Sequence, residues 1–271
     1  MTASWRLIID DGPTSGAWNM AIDRAVQLAR EAHDVPPTLR LYRWARPTVT
    51  LGRFQDAAAV DLALCRRTGI DVVRRFTGGR GVLHDDELTY SIVASLSDGL
   101  PRGVAASYRV LCSALAQAYR ELGVDAALTP RPRGKSSSGA CYLHATQADL
   151  SIGLAKLSGS AQVWNGGTVL QHGSFTRTRD VRREAAVFRL SESDLSRLST
   201  ETVTLADALG EAPSFEVIGA AACRGVERAL GVRLAKGTYT ESELARASAS
   251  LKENAVIDRG RMRVESATGS G

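Results

Sequence analysis

Apolar and polar positions alternate at two different periods along this chain, and the change between them divides it into an early, strand-rich part and a late, helical part. WRLIID (5–10) is a short apolar run that predicts a strand. SGAWNMAIDRAVQLARE (15–31) places Met20, Ile22, Val26 and Leu28 roughly on one side behind Ser15, a good N-cap, and predicts a helix. TLRLYRW (38–44) and TVTLGRF (48–54) each alternate, and Pro47 between them marks a tight connection, so the pair predicts a hairpin. A helix over 57–69 ending at Gly69, a strand at DVVRRF (71–76) and strands around the acidic turn of VLHDDELTYSIVASL (82–96) follow. The longest helical pattern is GVAASYRVLCSALAQAYRELG (103–123), which stops at Gly123. ADLSIGLAKLSGSAQVW (148–164) and GTVLQHGSF (167–175) flank Asn165-Gly166-Gly167, a strong hairpin signal. Beyond residue 180 the patterns over 182–190, 205–210, 215–231 and 240–254 are helical. Strands joined by hairpins, with helices mainly late, predict an α+β fold whose sheet is largely antiparallel, and argue against a doubly wound parallel sheet.

With 271 residues, 44% hydrophobic and 23% charged, the chain has the length and composition of one large folded domain, with a frayed tail at RVESATGSG (263–271). The N-terminus lacks a basic, then apolar, leader and no window approaches the ~20 apolar residues of a membrane span, which places the expected compartment in the cytoplasm with no membrane partner. Four cysteines without a CxxC give neither a disulfide framework nor a zinc signature, and the four scattered histidines suggest no metal site. The formal charge is +5, yet no basic run is interleaved with aromatics, so nucleic acid is not an expected partner. All but four of the 34 basic residues are Arg, so a Lys inside a motif carries more information than usual.

Three cysteines, Cys65, Cys112 and Cys223, fall inside helical patterns, where a thiol behaves as a small hydrophobe. Cys141 instead follows the Pro- and Ser-rich stretch TPRPRGKSSSGA (129–140). Two other stretches have the composition of a site. In RRFTGGRGVLHDD (74–86) adjacent glycines Gly78 and Gly79, bracketed by Arg75 and Arg80, let backbone approach a ligand, although the same pair serves equally well as a plain turn. In AKLSGSAQ (155–162) the small residues Ser158, Gly159, Ser160 and Ala161 describe a strand that something packs against closely, with Lys156 at its edge. A lone strand lysine is ordinarily solvated, and His172 beside Gly173 is ordinarily structural.

Taken together, GRFQ (52–55), RRFTGGRGVLHD (74–85), KLSGSAQ (156–162) and LQHGSF (170–175) resemble, in order, the motifs of the biotin and lipoate protein ligase family over roughly residues 5–190. The resemblance implies that family's catalytic domain over residues 1–235: a largely antiparallel mixed central sheet plus a smaller sheet flanked by helices, with 236–271 a helical extension and tail. The family's ATP-using ligases typically carry three glycines and a Gly-Asn turn after the His-Asp; GGRGVLHDDELTYS (78–91) is instead similar to the cysteine-dependent octanoyltransferases, which also carry a cysteine fifteen residues before the motif lysine, as Cys141 stands to Lys156. This implies transfer of an octanoyl group from octanoyl-acyl carrier protein to a lysine of a lipoyl domain, the H protein of the glycine cleavage system being the favoured acceptor, by a monomer that needs no cofactor.

On that resemblance Cys141 is the candidate nucleophile. A free thiol of pKa ~8.5 is mostly protonated at neutral pH, and an adjacent ammonium favours the thiolate. Lys156 is the candidate for that task, or for orienting the thioester carbonyl with help from backbone N–H groups near Gly78-Gly79 or beside Cys141. Gly79, Gly159 and Ala161 are expected to line a narrow acyl channel, with Arg75, Gly78, His84 and His172 as further substrate-binding candidates. Arg131, Arg133, Lys135 or the Arg177-Arg179-Arg182-Arg183 cluster are candidates to steer acidic carriers. The alternatives are an ATP-dependent ligase in which Cys141 is incidental, and a non-catalytic carrier-binding protein. For the transferase, the 141 loop must fold back across the strand to bring sulfur and ammonium together.

Overall fold

The computed structural model describes residues 2–129, 138–143 and 149–256. Its centre is a six-stranded mixed sheet. β1 (Ser4–Ile9) lies parallel to β2 (Thr38–Tyr42), which pairs antiparallel with β6 (Glu87–Ser95); β11 (Thr168–Thr176) and β10 (Ser160–Asn165) continue antiparallel, and β12 (Arg233–Lys236) adds a parallel strand on the far side of β1. Gly166 and Gly167, both at positive φ, close the β10–β11 hairpin that the sequence predicts.

Both faces of this sheet are covered, and β6 is buried along its whole length. Its period of two separates the faces. Leu88, Tyr90, Ile92 and Ala94 join Leu39 and Leu41 in the main apolar core against α3 (Val104–Glu121) and α7 (Phe215–Leu230). Glu87, Thr89 and Ser91 point the opposite way: Ser91 donates to Asp23 of α1 (Gly16–Glu31), a helix capped by Ser15, while Glu87 and Thr89 accept from Trp44. Because Ser91 is paired with Arg40 on one side and His172 on the other, and Thr89 with Tyr42 and Ser174, this second face carries two cross-strand rows of polar side chains under a helix.

A three-stranded sheet, β4 (Asp71–Arg74), β3 (Thr48–Leu51) and β5 (Val82–His84), packs with α2 (Leu62–Thr68), α4 (Val181–Val187) and α5 (Glu192–Glu201) around a separate core. Ala140, Tyr142 and Leu143 are part of it. A third small sheet joins β7 (Ala127–Leu128), β8 (Leu150–Ile152) and β9 (Ala155–Ser158). α6 (Leu205–Leu209) follows α5, and α8 (Glu241–Asn254) lies on α1 through Ala247.

The predicted hairpin over 38–54 does not form: β2 belongs to the central sheet and β3 to the small one. Alternation reports which face of a strand is buried, not which strand it pairs with. The same division occurs at Asp85-Asp86, between β5 and β6. The helix expected over 57–69 is broken at Val60, because Asp56 and Asp61 each cap a helix start, a short 3-10 turn at Ala57–Ala59 and then α2. The patterns missed α5 and β12. The expected boundary after residue 235 falls within β12, and Arg6 of β1 binds Glu243 of α8 at 2.6 Å.

α3 and α7 cross so closely that a Cβ on Gly225 would lie 2.4 Å from the backbone N of Ala118. Gly225→Ala is therefore expected to destabilise the fold by about 1–3 kcal/mol, read as a lowered melting temperature, because the obstructing atoms are backbone and cannot rotate aside.

Candidate active site

The turn that presents Cys141 is held by backbone bonds. Gly81 N–H donates to Gly139 O at 2.9 Å and Cys141 N–H to Gly81 O at 2.8 Å, a short parallel bridge between the 138–141 segment and the glycine loop that follows β4. Gln55 Nε2 also donates to Gly139 O at 3.0 Å. Tyr142 and Leu143, buried in the small-sheet core, anchor the other side of the turn, and Cys141 itself is partly exposed.

β9 brings Lys156 underneath. Its side chain is 2% exposed, contrary to the solvated position usual for a strand lysine, and Nζ lies 3.0 Å from Asp149 Oδ2, 3.2 Å from Cys141 O and 4.0 Å from Cys141 Sγ. Burial works against charge on Lys156, but negative charge on Cys141 and the Asp149 carboxylate outweigh it and hold the ammonium above the ordinary lysine value. A side chain at Gly159 would sit 3.2 Å from Lys156 Nζ and 3.3 Å from Asp149 Oδ1, so the absence of one gives this pair its space.

Arg75, another buried cation at the site, is 4% exposed and makes no ion pair among the described residues. Its guanidinium donates to Gly78 O and Arg80 O at 2.8 Å each and to Thr50 O at 2.9 Å, which fixes the glycine loop. Gly79 takes φ +93° within that loop, and a Cβ there would meet Arg75 Nη2 at 2.9 Å. Burial pulls the guanidinium below its usual value, and negative charge on Cys141 opposes the shift. Two hydrogen-bonded arms run from Arg75. One passes through Thr77 to His172 (2.8 Å) and on to Asp23 (3.3 Å), which also accepts from Arg40 at 2.8 Å, Ser91 at 2.8 Å and Tyr42 at 3.1 Å. The other passes through Thr50 to His84 (2.9 Å) and Glu87 (2.6 Å), with His84 stacked on Trp44.

Between these arms and β10 lies a pocket of about 490 Å³, part of it open to solvent. Of the residues singled out from sequence, Cys141, Arg75, Gly79, His84, Gly159, Ala161 and His172 line it. Lys156 stands behind Cys141, and Gly78 contributes a carbonyl to Arg75 and no wall. The Cys141 N–H, engaged with Gly81, is not available to an oxyanion. Sequence reasoning missed Met20, Tyr42, Thr50 and Thr89 in the wall, and Asp149 and Asp23 behind it. Asp23 left a trace: it sits on the inward face of α1, three residues after the buried Met20. Of the basic residues proposed for carrier steering, Arg177 pairs with Asp86 and Arg183 with Asp85, each at 2.5 Å, while Arg179 is buried beside Glu184; Arg131, Arg133 and Lys135 lie outside the described residues.

A fold of this topology, with a buried lysine and a cysteine at the mouth of a pocket between two sheets, is that of a protein-acylating enzyme. The lipoyl protein ligase A/B catalytic domain model matches residues 15–222, and the chain belongs to that family. Within it, the chain is 39% identical to the octanoyltransferase LipM of Symbiobacterium thermophilum, covering 97% of this chain and 100% of the relative, and 41% identical to that of Kyrpidia tusciae, covering 89% and 92%. A crystal structure of lipoate-protein ligase A bound with ATP superposes with a TM-score of 0.76 at 25% identity, over 93% of this chain and 95% of that one. No helix among the described residues is long and apolar enough to cross a membrane.

Burial keeps the pKa of His172 below its ordinary 6.5, and Arg40 and His172, against the cost of burial, keep that of Asp23 below the usual carboxylate range. The native state thus resists protonation at both, and as pH falls the unfolded chain binds more protons, so stability present above pH 6.5 is lost on acidification. Melting temperatures from pH 7.5 to 5 are expected to fall, and His172→Gln is expected to flatten the fall over that range while a further loss remains below about pH 4, where Asp23 and Glu87, both held below the usual carboxylate range, take up protons.

Proposed function

We propose that this chain is an octanoyl-[acyl-carrier-protein]:protein N-octanoyltransferase that works through an acyl-Cys141 thioester. The observation that carries the reading is the position of Cys141 Sγ, 4.0 Å from the buried Lys156 ammonium at the rim of the pocket. In the first half-reaction Sγ attacks the thioester carbonyl of octanoyl-acyl carrier protein. A new C–S bond forms, the carrier's C–S bond breaks, and the carrier's pantetheine thiolate leaves and takes up a proton. In the second, the amine of a lipoyl-domain lysine attacks the acyl-Cys141 carbonyl, the amide C–N bond forms, the bond to Sγ breaks and the amine loses a proton. Thioester exchange is nearly isoenergetic and aminolysis of a thioester is downhill, so the acyl group arrives already activated and needs no ATP.

Lys156 favours negative charge on sulfur in both thiolate states and aims donors at the carbonyl oxygen that becomes an oxyanion. Arg75, which makes no ion pair among the described residues, adds a second positive charge. The octanoyl chain lies in the pocket against Gly79, Gly159, Ala161 and Met20, where small or flexible side chains leave room for methylenes. The acceptor favoured by the family resemblance is the H protein of the glycine cleavage system, with the enzyme acting as a monomer in the cytoplasm.

Incubation with octanoyl-acyl carrier protein without ATP is expected to give a covalent octanoyl adduct by intact mass, absent in Cys141→Ala; transfer that survives Cys141→Ala, or acylation that requires ATP, rejects the reading in favour of a ligase. Lys156→Met is expected to slow adduct formation by at least about 10²-fold, the scale of losing one preorganised oxyanion donor, in a single-turnover measurement.

A further inference from the structure

Arg179 is surface-like in the sequence, yet its side chain is only 7% exposed in the structure, where it makes three contacts. Its guanidinium carbon lies 3.5 Å from the ring centroid of Tyr142, the residue after Cys141. Nη1 donates to Thr202 Oγ1 at 2.7 Å. Nε is 3.5 Å from Glu184 Oε2. The last contact is a poor ion pair: Arg179 Nη2 and Glu184 Oε1 are both buried without a hydrogen-bond partner. A buried pair made this loosely gives up hydration for little Coulombic return, so stability alone is a weak account of it.

The other two contacts lead to the two halves of the site. Tyr142 is fixed between Arg179 and Lys156, whose Nζ lies 5.5 Å from the same ring, and its hydroxyl is 2.9 Å from Thr176 Oγ1. Thr202 forms a parallel bridge with Lys156, and the neighbouring Val203 N–H donates to Lys156 O at 3.0 Å. One planar cation therefore holds the turn that carries the nucleophile and the strand that carries the ammonium.

We propose that Arg179 is a positioning residue that sets the Cys141–Lys156 separation by stacking on Tyr142 and bonding Thr202. The inference rests on the acyl-Cys141 reading above. Lys at this position keeps the charge beside Glu184 but has neither a planar face nor a fork.

Arg179→Lys is expected to reduce the single-turnover acylation rate at saturating octanoyl-acyl carrier protein by about 10-fold or more, with KM for the carrier within about two-fold, the pattern of a misplaced reacting group. Alkylation of Cys141 by iodoacetamide, which needs no carrier, is expected to slow in parallel, while the melting temperature changes little. Tyr142→Leu is expected to reproduce the defect, and the double variant to lose less than the product of the two single losses, because the stacking contact is common to both. Unchanged acylation and alkylation in folded Arg179→Lys, multiplicative losses in the double variant, or a loss confined to KM overturns the proposal. Should Arg179→Lys fail to fold, Thr202→Val, which removes only the hydroxyl partner, carries the same test: slower alkylation supports the clamp and an unchanged rate rejects it. A wild-type protein that alkylates at Cys141 yet never becomes acylated removes the acyl-transfer reading and leaves the clamp standing.

Discussion

A lysine side chain that is 2% exposed is costly to charge unless its surroundings supply negative charge, and most of this site is arranged around that requirement at Lys156. Asp149 supplies one partner at 3.0 Å. The Cys141 turn supplies a carbonyl and a sulfur, and Gly159 keeps the space clear. Lys156 lies at the meeting of the third sheet, the turn shared with the small-sheet core and the start of β10. A shift in any of these elements would leave a buried charge without its partners, a loss of several kcal/mol in comparable buried pairs. The charge thus selects one arrangement of three otherwise separate bodies.

On the acyl-transfer reading the pocket presents a second constraint, because an apolar chain has to lie beside Arg75, His84, His172 and Thr50. The resolution is that these groups spend their hydrogen-bonding capacity on one another. Both arms from Arg75 end on fully buried carboxylates, Asp23 and Glu87, so the polar tips point along the network and the space is left to the ring faces, Val82, Met20 and four backbone-like positions, Gly79, Gly159, Ala161 and Gly173. The two cross-strand rows make this possible: residues on one face of β2, β6 and β11 fall in register and can bond sideways within the sheet.

Much of this was legible in the sequence where a signal is local. Ser15, Gly69, Gly123 and the Asn165-Gly166-Gly167 turn mark element ends by backbone chemistry alone, and the structure places those ends there. Strand partners were not legible, because the alternation in β2 and β3 reports burial and says nothing of which sheet is the neighbour. At the site, Cys141 and the glycine loop stood out by composition and by motif resemblance. Asp149, Tyr142 and Arg179 did not, since Tyr142 and Arg179 meet only in the fold, and an aspartate before a strand or an arginine in a basic cluster looks like ordinary surface. Arg179 belonged to a run read as carrier-steering charge, yet it and its neighbours Arg177 and Arg183 are paired with Glu184, Asp86 and Asp85.

A fold that superposes on an ATP-bound ligase can serve a transferase because the difficulty moves from activating the acyl group to managing protons and charge at one sulfur. On the acyl-transfer reading, the same two cations, Lys156 and Arg75, serve both half-reactions. In the first they favour the attacking thiolate. In the second they favour its departure, and they also repel a protonated acceptor lysine, whose ordinary pKa is ~10.4, so that the neutral amine is the form admitted to the acyl-Cys141 carbonyl. On this reading one electrostatic arrangement, Lys156 with Arg75, serves both half-reactions.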